Sequence, residues 1–194
     1  MPLEVIEFLK IACCFKDSFL IQTISEICHS TTSEIMDIAL VCIREELIIE
    51  LEPGEFVIAD RKITDAVNNI LTLEEKQNIN FKIARAIADE YSHNTSKVKI
   101  FDLLYYFNIC RDRINGEKEI LSLVKLYYEG GLKAAGTYAY NEAAGYFDIA
   151  LGYMDSNFRN KHHQLAWDIY VNAINCYYSI AEFNKADYYS ELLL

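Results

Sequence analysis

Histidine is the residue type that most often binds metals or transfers protons near neutral pH, and this 194-residue chain contains four. His162 and His163 are adjacent, so on a helix their side chains point about 100° apart and cannot chelate one ion together. We expect a solvated pair at a helix start. His29 and His93 fall near predicted helix ends, where local hydrogen bonding is the expected role. The histidines therefore predict no metal site.

The six cysteines have no spacing that is typical of a metal or redox site. None forms a C-x-x-C pair, and most occupy apolar positions of helical patterns. Buried thiols in a reducing cytosol fit this distribution better than a disulfide framework or a zinc site. The positions are Cys13, Cys14, Cys28, Cys42, Cys110 and Cys176.

Catalytic motifs are absent from the sequence: no G-x-x-x-x-G-K-[ST] loop, kinase catalytic loop, D-F-G or G-x-S-x-G occurs. Gly130 and Gly131 lie inside a helical pattern, where they predict a packing contact. We therefore predict no catalytic, cofactor-binding or metal-binding residue. Asp60 and Arg61 are a charged pair between a predicted hairpin and a predicted helix. Either they bond structurally to hold the hairpin on that helix, or they contact a neighbouring module.

The hairpin is predicted within residues 47–71, where two short apolar runs flank Glu-Pro-Gly-Glu. Pro53 presets φ for the second position of a turn, and Gly54 can adopt the positive φ of the third. Apolar residues at helical spacing then predict a helix over residues 63–71.

Three helical patterns precede the hairpin. The second carries Leu20, Ile24 and Ile27 on one face, and the third opens with a capping box at residues 31–34. Three helices followed by a hairpin is the order of a winged-helix domain, which we assign to residues 1–71.

Only helical patterns follow the hairpin. A second capping box at residues 72–75 opens a helix to residue 91, with Ile79, Ile83 and Ile87 facing inward. The later segments are a polar connector at 92–96 and helices over 98–109 and 117–136.

An internal repeat lies in this helical part, because the aromatic-x-x-Ala spacing at Tyr140 recurs at Phe183, 43 residues later. Small residues let two helices cross closely and aromatic residues fill grooves, as in α-α repeats. We assign residues 72–194 to a tetratricopeptide-like array. Its linker near residues 155–161 is longer than the linker of the tetratricopeptide repeat, which has a period of roughly 34 residues. The predicted packing residues are Gly131, Ala134, Ala143, Phe147, Ala150, Phe183 and Ala186. The side chains of the three terminal leucines spread over most of a helical turn, which is more surface than one partner helix can cover. We therefore expect an array truncated at its C-terminus.

Charge and hydropathy argue against two classes of partner. The formal net charge is −11, and residues 1–71 contribute −8 of it, from 5 basic and 13 acidic side chains. The helix that would read DNA in a winged-helix domain has a net charge of −3, whereas phosphate contacts need Lys and Arg. No nucleic acid or anionic membrane partner is expected. No apolar run of about 18 residues predicts a transmembrane helix, and no basic region of a signal peptide precedes the first apolar residues.

Several short motifs resemble one family. Phe56, the pair Asp60 and Arg61, and Ala66 roughly match Phe-x-His-Asp-Arg-x-x-x-Ala, with Ala59 in place of the histidine. Motifs of the forms Leu-x-x-x-Ala-Gly-x-Lys-Ala and Ala-Tyr-x-x-Ala correspond to Leu126, Gly130, Gly131, Lys133, Ala134, Ala139, Tyr140 and Ala143. In these features the chain resembles the winged-helix and helical-repeat segment that follows the AAA-like STAND ATPase module of large signalling serine/threonine or histidine kinases.

The resemblance implies a mainly α fold with one small β-hairpin, in a non-catalytic regulatory or scaffold segment. It would couple the ATPase module to a helical array that binds protein partners in the cytoplasm. ATP and Mg²⁺ would bind the ATPase module, and the parent protein would be an ATPase and protein kinase. Asp60 and Arg61 would contact that module, but with Ala59 replacing the histidine, no nucleotide-sensing role is transferred. The alternative is a free-standing adaptor of tetratricopeptide type.

Overall fold

The computed structural model describes residues 2–93 and 100–193. The predicted mainly α class is confirmed, because the described chain is mostly helical with one small antiparallel sheet. Two compact units are present, Met1–Arg113 and Ile114–Leu194. The boundary predicted after residue 71 falls inside the first unit, and a functional division there stays a prediction. No helix within the described ranges is long and apolar enough to cross a lipid bilayer.

The first unit is built around a core where three helices meet the inner face of the sheet, with Ile24, Ala39 and Phe56 fully buried. Its elements are α1 (Leu3–Ala12), β1 (Phe19–Leu20), α2 (Ile21–Cys28), α3 (Thr32–Arg44), β2 (Ile48–Glu52), β3 (Glu55–Ile58), α4 (Arg61–Ile70), α5 (Leu73–His93) and α6 (Ile100–Ile109), then a 3-10 turn at Arg111–Arg113.

Helix α5 is longer than predicted. It includes Ser92 and His93, for which the sequence predicts a polar connector, while the rest of that connector and residues 98 and 99 lie outside the described residues. Ile83 is fully buried, whereas Ile79 and Ile87 are half-buried.

Strand β1 is the element that the sequence patterns missed. Phe19 pairs with Phe56 and Leu20 with Glu55, so the sheet order is β1-β3-β2. The prediction that Leu20 lies on the buried face of the second helix is wrong, because Leu20 is in a strand and 42% exposed. The buried Phe19 ring stacks on the Phe56 ring at a centroid distance of 6.1 Å, and this contact keeps the chain extended until α2 begins at Ile21.

The hairpin turn and two helix starts have the predicted local geometry. Gly54 has a φ of +82° between β2 and β3, as the third position of the turn requires. At the start of α3, the Glu34 amide donates to the Thr31 hydroxyl at 3.3 Å and the Thr31 amide donates to the Glu34 carboxylate at 2.9 Å. The same reciprocal bonds between Thr72 and Glu75, at 3.1 Å and 2.8 Å, start α5. Both predicted capping boxes are confirmed.

The second unit contains two pairs of helices, each joined by a short turn. Its elements are α7 (Glu117–Gly136), α8 (Tyr140–Gly152), α9 (Ser156–Lys161), α10 (His163–Ser179) and α11 (Phe183–Leu193). Helices α7 and α10 end 43 residues apart, and α8 and α11 begin 43 residues apart. The offset of the sequence repeat is therefore also the offset of the helix pairs. Helix α9 occupies the predicted linker.

The turns of the two pairs share one backbone geometry. Tyr138 has a φ of +63° and Ala181, at the equivalent position, a φ of +62°. In each turn the following amide donates to the carbonyl five residues earlier, at 3.0 Å and 2.9 Å. This is the Schellman ending of a helix, in which glycine usually occupies the left-handed position. The backbone at Tyr138 and Ala181 therefore has a left-handed conformation that residues other than glycine disfavour.

Candidate functional site

Asp60 and Arg61, the predicted interdomain pair, lie at the junction of β3 and α4. The Lys62 amide donates to Asp60 Oδ1 at 2.8 Å, so Asp60 caps α4. The Arg61 side chain is 92% exposed, and its Nε lies 4.0 Å from an Asp65 carboxylate oxygen one turn along the helix. Exposed ion pairs of this kind contribute little to stability. The two residues therefore act separately: Asp60 bonds within the chain, and Arg61 extends from the surface.

Gly131 gives α7 a flat surface on which the Phe147 ring of α8 lies. A Cβ atom at position 131 would be 2.4 Å from Phe147 Cε1 and 2.6 Å from Cζ, well inside van der Waals contact. The ring is fully buried, and the Tyr128 ring of α7 lies 6.2 Å from it between centroids. Glycine is needed here because the helices approach closely, and not because the backbone requires a positive φ.

The other predicted packing positions differ in burial. The buried ones are Ala134, Ala143, Ala150 and Ala186. Phe183 is the first residue of α11, is 54% exposed, and contacts the Tyr178 ring at a centroid distance of 5.8 Å. The small residues thus lie inside the unit, whereas Phe183 lies at its surface.

A polar cluster that sequence reasoning missed joins α8, α10 and α11. Asp148 of α8 accepts hydrogen bonds from the Tyr177 hydroxyl of α10 and from the Tyr189 hydroxyl of α11, the latter at 2.7 Å. Lys185 Nζ lies 3.6 Å from Asp148 Oδ2 and 3.2 Å from the Tyr177 hydroxyl. The Tyr170 ring packs against the Tyr189 ring at 5.9 Å. One carboxylate thus connects three helices.

The tyrosines of this cluster are hydrogen-bond donors rather than nucleophiles. Burial, and then the hydrogen bond to Asp148, raises the pKa of Tyr177 and of Tyr189, so both hydroxyls stay protonated at neutral pH. The arrangement ties the three helices together through the Asp148 carboxylate. One sequence signal could have indicated it, because a tyrosine pair recurs at the 43-residue offset. The pairs are Tyr127 with Tyr146 and Tyr170 with Tyr189.

The cysteines are free thiols, and most of them are buried. No disulfide joins the six cysteines, all of which lie in the described part of the chain. Burial raises the pKa of Cys13, Cys14 and Cys42 to about 11. These thiols therefore stay protonated near neutral pH, and a protonated thiol is neither a good nucleophile nor a metal ligand.

The four histidines lie at or near helix ends. The His162 ring packs at a tilt against a phenylalanine ring of α9 at a centroid distance of 4.8 Å, and His163 is exposed at the start of α10. His29 ends α2 with a φ of +55°, and the His93 side chain lies outside the described residues. Within the described part of the chain, no group of three or more His, Cys, Asp or Glu residues could hold a metal ion.

The sequence is similar to part of one signalling protein. It is 26% identical over 153 residues to hybrid signal transduction histidine kinase G of Dictyostelium discoideum. The match covers 67% of this chain, and the chain spans only 4% of the length of that relative. No protein-family model matches the chain, and no solved structure matches it. The resemblance to signalling kinases thus has support as a distant similarity to one histidine kinase.

Proposed function

We propose that this chain is a non-catalytic regulatory and scaffold segment of a multidomain signalling kinase. The observation that carries the proposal is the similarity to a short part of a hybrid signal transduction histidine kinase. The chain contains no phosphate-binding loop and no kinase motif. A segment of such a protein without these motifs has a connecting or regulatory role, and the catalytic steps belong to other modules.

The element order supports a winged-helix assignment for residues 1–71. Helix α1, strand β1, helices α2 and α3, and the β2–β3 hairpin follow one another as in that fold. In the proposed role this domain adjoins an AAA-like STAND ATPase module that binds ATP and Mg²⁺. Arg61 is the side chain that would reach the module, since its exposed guanidinium can pair with a carboxylate or a phosphate.

The helices after this domain are proposed to form a tetratricopeptide-like array that binds protein partners. Two observations support this assignment: the turns at Tyr138 and Ala181 have the same backbone geometry, and Gly131 contacts Phe147 closely. Stacked helix pairs present extended surfaces that such arrays use for protein binding. The second candidate function, a free-standing adaptor, rests on the same helix pairs without the ATPase module.

The mass of the native polypeptide separates the two functions. The proteins of a lysate of the source cells would be separated by mass, and an antibody raised against this chain would detect the native polypeptide. A regulatory segment predicts a band far above the 22.4 kDa of these residues. A band at that mass alone would support the adaptor and contradict the proposed segment.

The role of Arg61 has a separate test in the native protein. We expect Arg61→Glu to change the rate of ATP hydrolysis, because it reverses the charge that faces the ATPase module. Lys62→Glu is the matched control, since Lys62 is the exposed neighbour with the same charge. Equal rates for both variants would contradict the contact at Arg61.

A further inference from the structure

The two helix–helix turns of the second unit each carry an aromatic pair. Tyr138 lies in the α7–α8 turn and Tyr140 begins α8, and their ring centroids are 6.2 Å apart. Tyr178 and Phe183 flank the α10–α11 turn, with centroids 5.8 Å apart. Tyr138 is 80% exposed, and Tyr178 and Phe183 are half-exposed. We call these four residues the aromatic edge.

Both aromatic pairs lie at one end of the second unit. Lys161, which comes just before α10, donates to Glu117 at the start of α7, with an Nζ–Oε1 distance of 2.6 Å. Helices α7 and α10 therefore begin side by side, and both pack along α8, so their turns lie at the opposite end. The Tyr189 hydroxyl of α11 bonds to Asp148 of α8 at 2.7 Å, which makes the second helices of the two pairs neighbours. Axes of helices in contact are about 8–10 Å apart, and this is the separation expected between the aromatic pairs.

An exposed amide accompanies each aromatic pair. Asn141 follows Tyr140 and Asn184 follows Phe183, so the two asparagines are 43 residues apart, as the helix pairs are. Their side-chain amide groups are hydrogen-bond donors. A polyproline II chain has no internal hydrogen bonds and leaves its carbonyl oxygens free to accept, whereas the carbonyls of a helix are mostly paired. The aromatic edge therefore suits an extended proline-rich chain better than a helix.

The spacing of the aromatic edge also fits this conformation. Polyproline II has three residues per turn and a rise of about 3.1 Å per residue, so residues three apart lie on one face about 9 Å from each other. That distance matches the expected separation of the two aromatic pairs. One proline ring can then lie on each pair, which is how proline-rich segments bind aromatic grooves.

The charge around the aromatic edge is negative. Residues 137–142 and 178–187 contain one basic and three acidic side chains, and the acidic ones are Glu142, Glu182 and Asp187. The basic one, Lys185, is itself 3.6 Å from an Asp148 oxygen. Basic residues beside the prolines would complement this charge, whereas a second copy of this chain has a net charge of −11 and would be repelled.

We propose that the aromatic edge binds a segment of a protein partner in the polyproline II conformation, with prolines three residues apart and basic residues next to them. One proline ring packs on Tyr138 and Tyr140, and the proline three residues further on packs on Tyr178 and Phe183. The two asparagine amides donate to carbonyl oxygens of the segment, and the acidic side chains attract its basic ones. The proposal rests on the protein-binding role proposed for the helical array, and it assigns that role a site and a class of partner.

The probe is an acetylated and amidated peptide of three Pro-Pro-Arg units, titrated into the full chain. The control peptide replaces every proline by alanine and keeps the charge. We expect saturable binding of the first peptide and binding about tenfold weaker for the second, because the alanine peptide lacks the proline rings and must be ordered on binding. Equal binding of the two peptides would overturn the proposal, since general attraction to the acidic chain would then explain it. Absence of binding would overturn it too, but would leave the mass of the native polypeptide, which tests the proposed function, unaffected.

Tyr138→Gly separates binding from folding. It removes one ring of the aromatic edge while glycine relieves the left-handed φ, so the variant should bind about tenfold more weakly and yet melt no lower than the unmodified chain. Ala181→Gly, the matched control, makes the same backbone change at the equivalent turn and removes no ring, so its binding should be unchanged. Phe183→Ser should also weaken binding, whereas Trp167→Ser, at a comparably exposed ring near the start of α10, should not. Unchanged binding of Tyr138→Gly, or equal losses in the ring variants and their controls, would contradict the site.

Discussion

Replacing Gly131 by alanine tests the helix crossing in the second unit. The added methyl carbon would lie 2.4 Å from Cε1 of Phe147, whereas ordinary contacts begin near 3.4 Å. The Phe147 ring is fully buried, so it cannot turn into solvent to make room. Either the ring leaves its rotamer or α7 moves away from α8, and both responses lose packing contacts.

Two effects of opposite sign determine the size of the change. Alanine is a better helix former than glycine by about 1 kcal/mol, and overpacking a core costs about 1–3 kcal/mol. Gly145→Ala in α8 gains the helix propensity of alanine without overpacking the core, because nothing lies within 4 Å of a Cβ atom there. We therefore expect Gly131→Ala to be less stable than Gly145→Ala by about 1–3 kcal/mol in the free energy of unfolding.

Urea unfolding of the full chain measures this difference, and amide exchange in α7 assigns it to the second unit. Phe147→Leu should cost less in the Gly131→Ala background than alone, because the smaller side chain leaves room for the methyl group. If Gly131→Ala is stabilised as much as Gly145→Ala, α7 and α8 do not approach closely at Gly131.

Three further outcomes are expected. Tyr138→Gly and Ala181→Gly should each raise stability by about 0.5–1 kcal/mol, because glycine adopts the left-handed conformation without strain; melting temperatures at or below that of the unmodified chain would contradict this. The Thr72 amide lowers the pKa of Glu75, so this carboxylate stabilises the fold above its ordinary pKa of 4.5, and that stability is lost as the pH falls through the lowered value. Glu75→Gln should therefore lower the free energy of unfolding at neutral pH and make it depend less on pH in the acid range. If urea unfolding gives the same difference between the variant and the unmodified chain at all pH values, the capping role is contradicted. Calorimetric titration with Mg-ATP should show no binding, since the chain has no phosphate-binding loop; saturable micromolar binding would show that a nucleotide site was overlooked.

Features whose partners are close in the chain were determined by the sequence alone. The capping boxes at residues 31–34 and 72–75 and the positive φ of Gly54 follow from residue types within four positions. The 43-residue offset could also be read directly, because a repeat is a property of the sequence before it is a property of the structure. For the candidate site, the sequence selected both Asp60 and Arg61 but left their roles open.

The tertiary structure decided what depends on distant partners. Strand β1 forms because Phe19 meets Phe56, and the Asp148 bonds connect residues 29 and 41 positions apart. The Asp60 cap of α4 is by contrast a local bond from the Lys62 amide, whereas the exposure of Arg61 depends on which elements pack nearby. Helical and strand periodicity indicates which face of an element is apolar, but it does not specify which other element covers that face. That choice is made when the elements pack, and so neither the strand pairing nor the polar cluster could be predicted from local patterns.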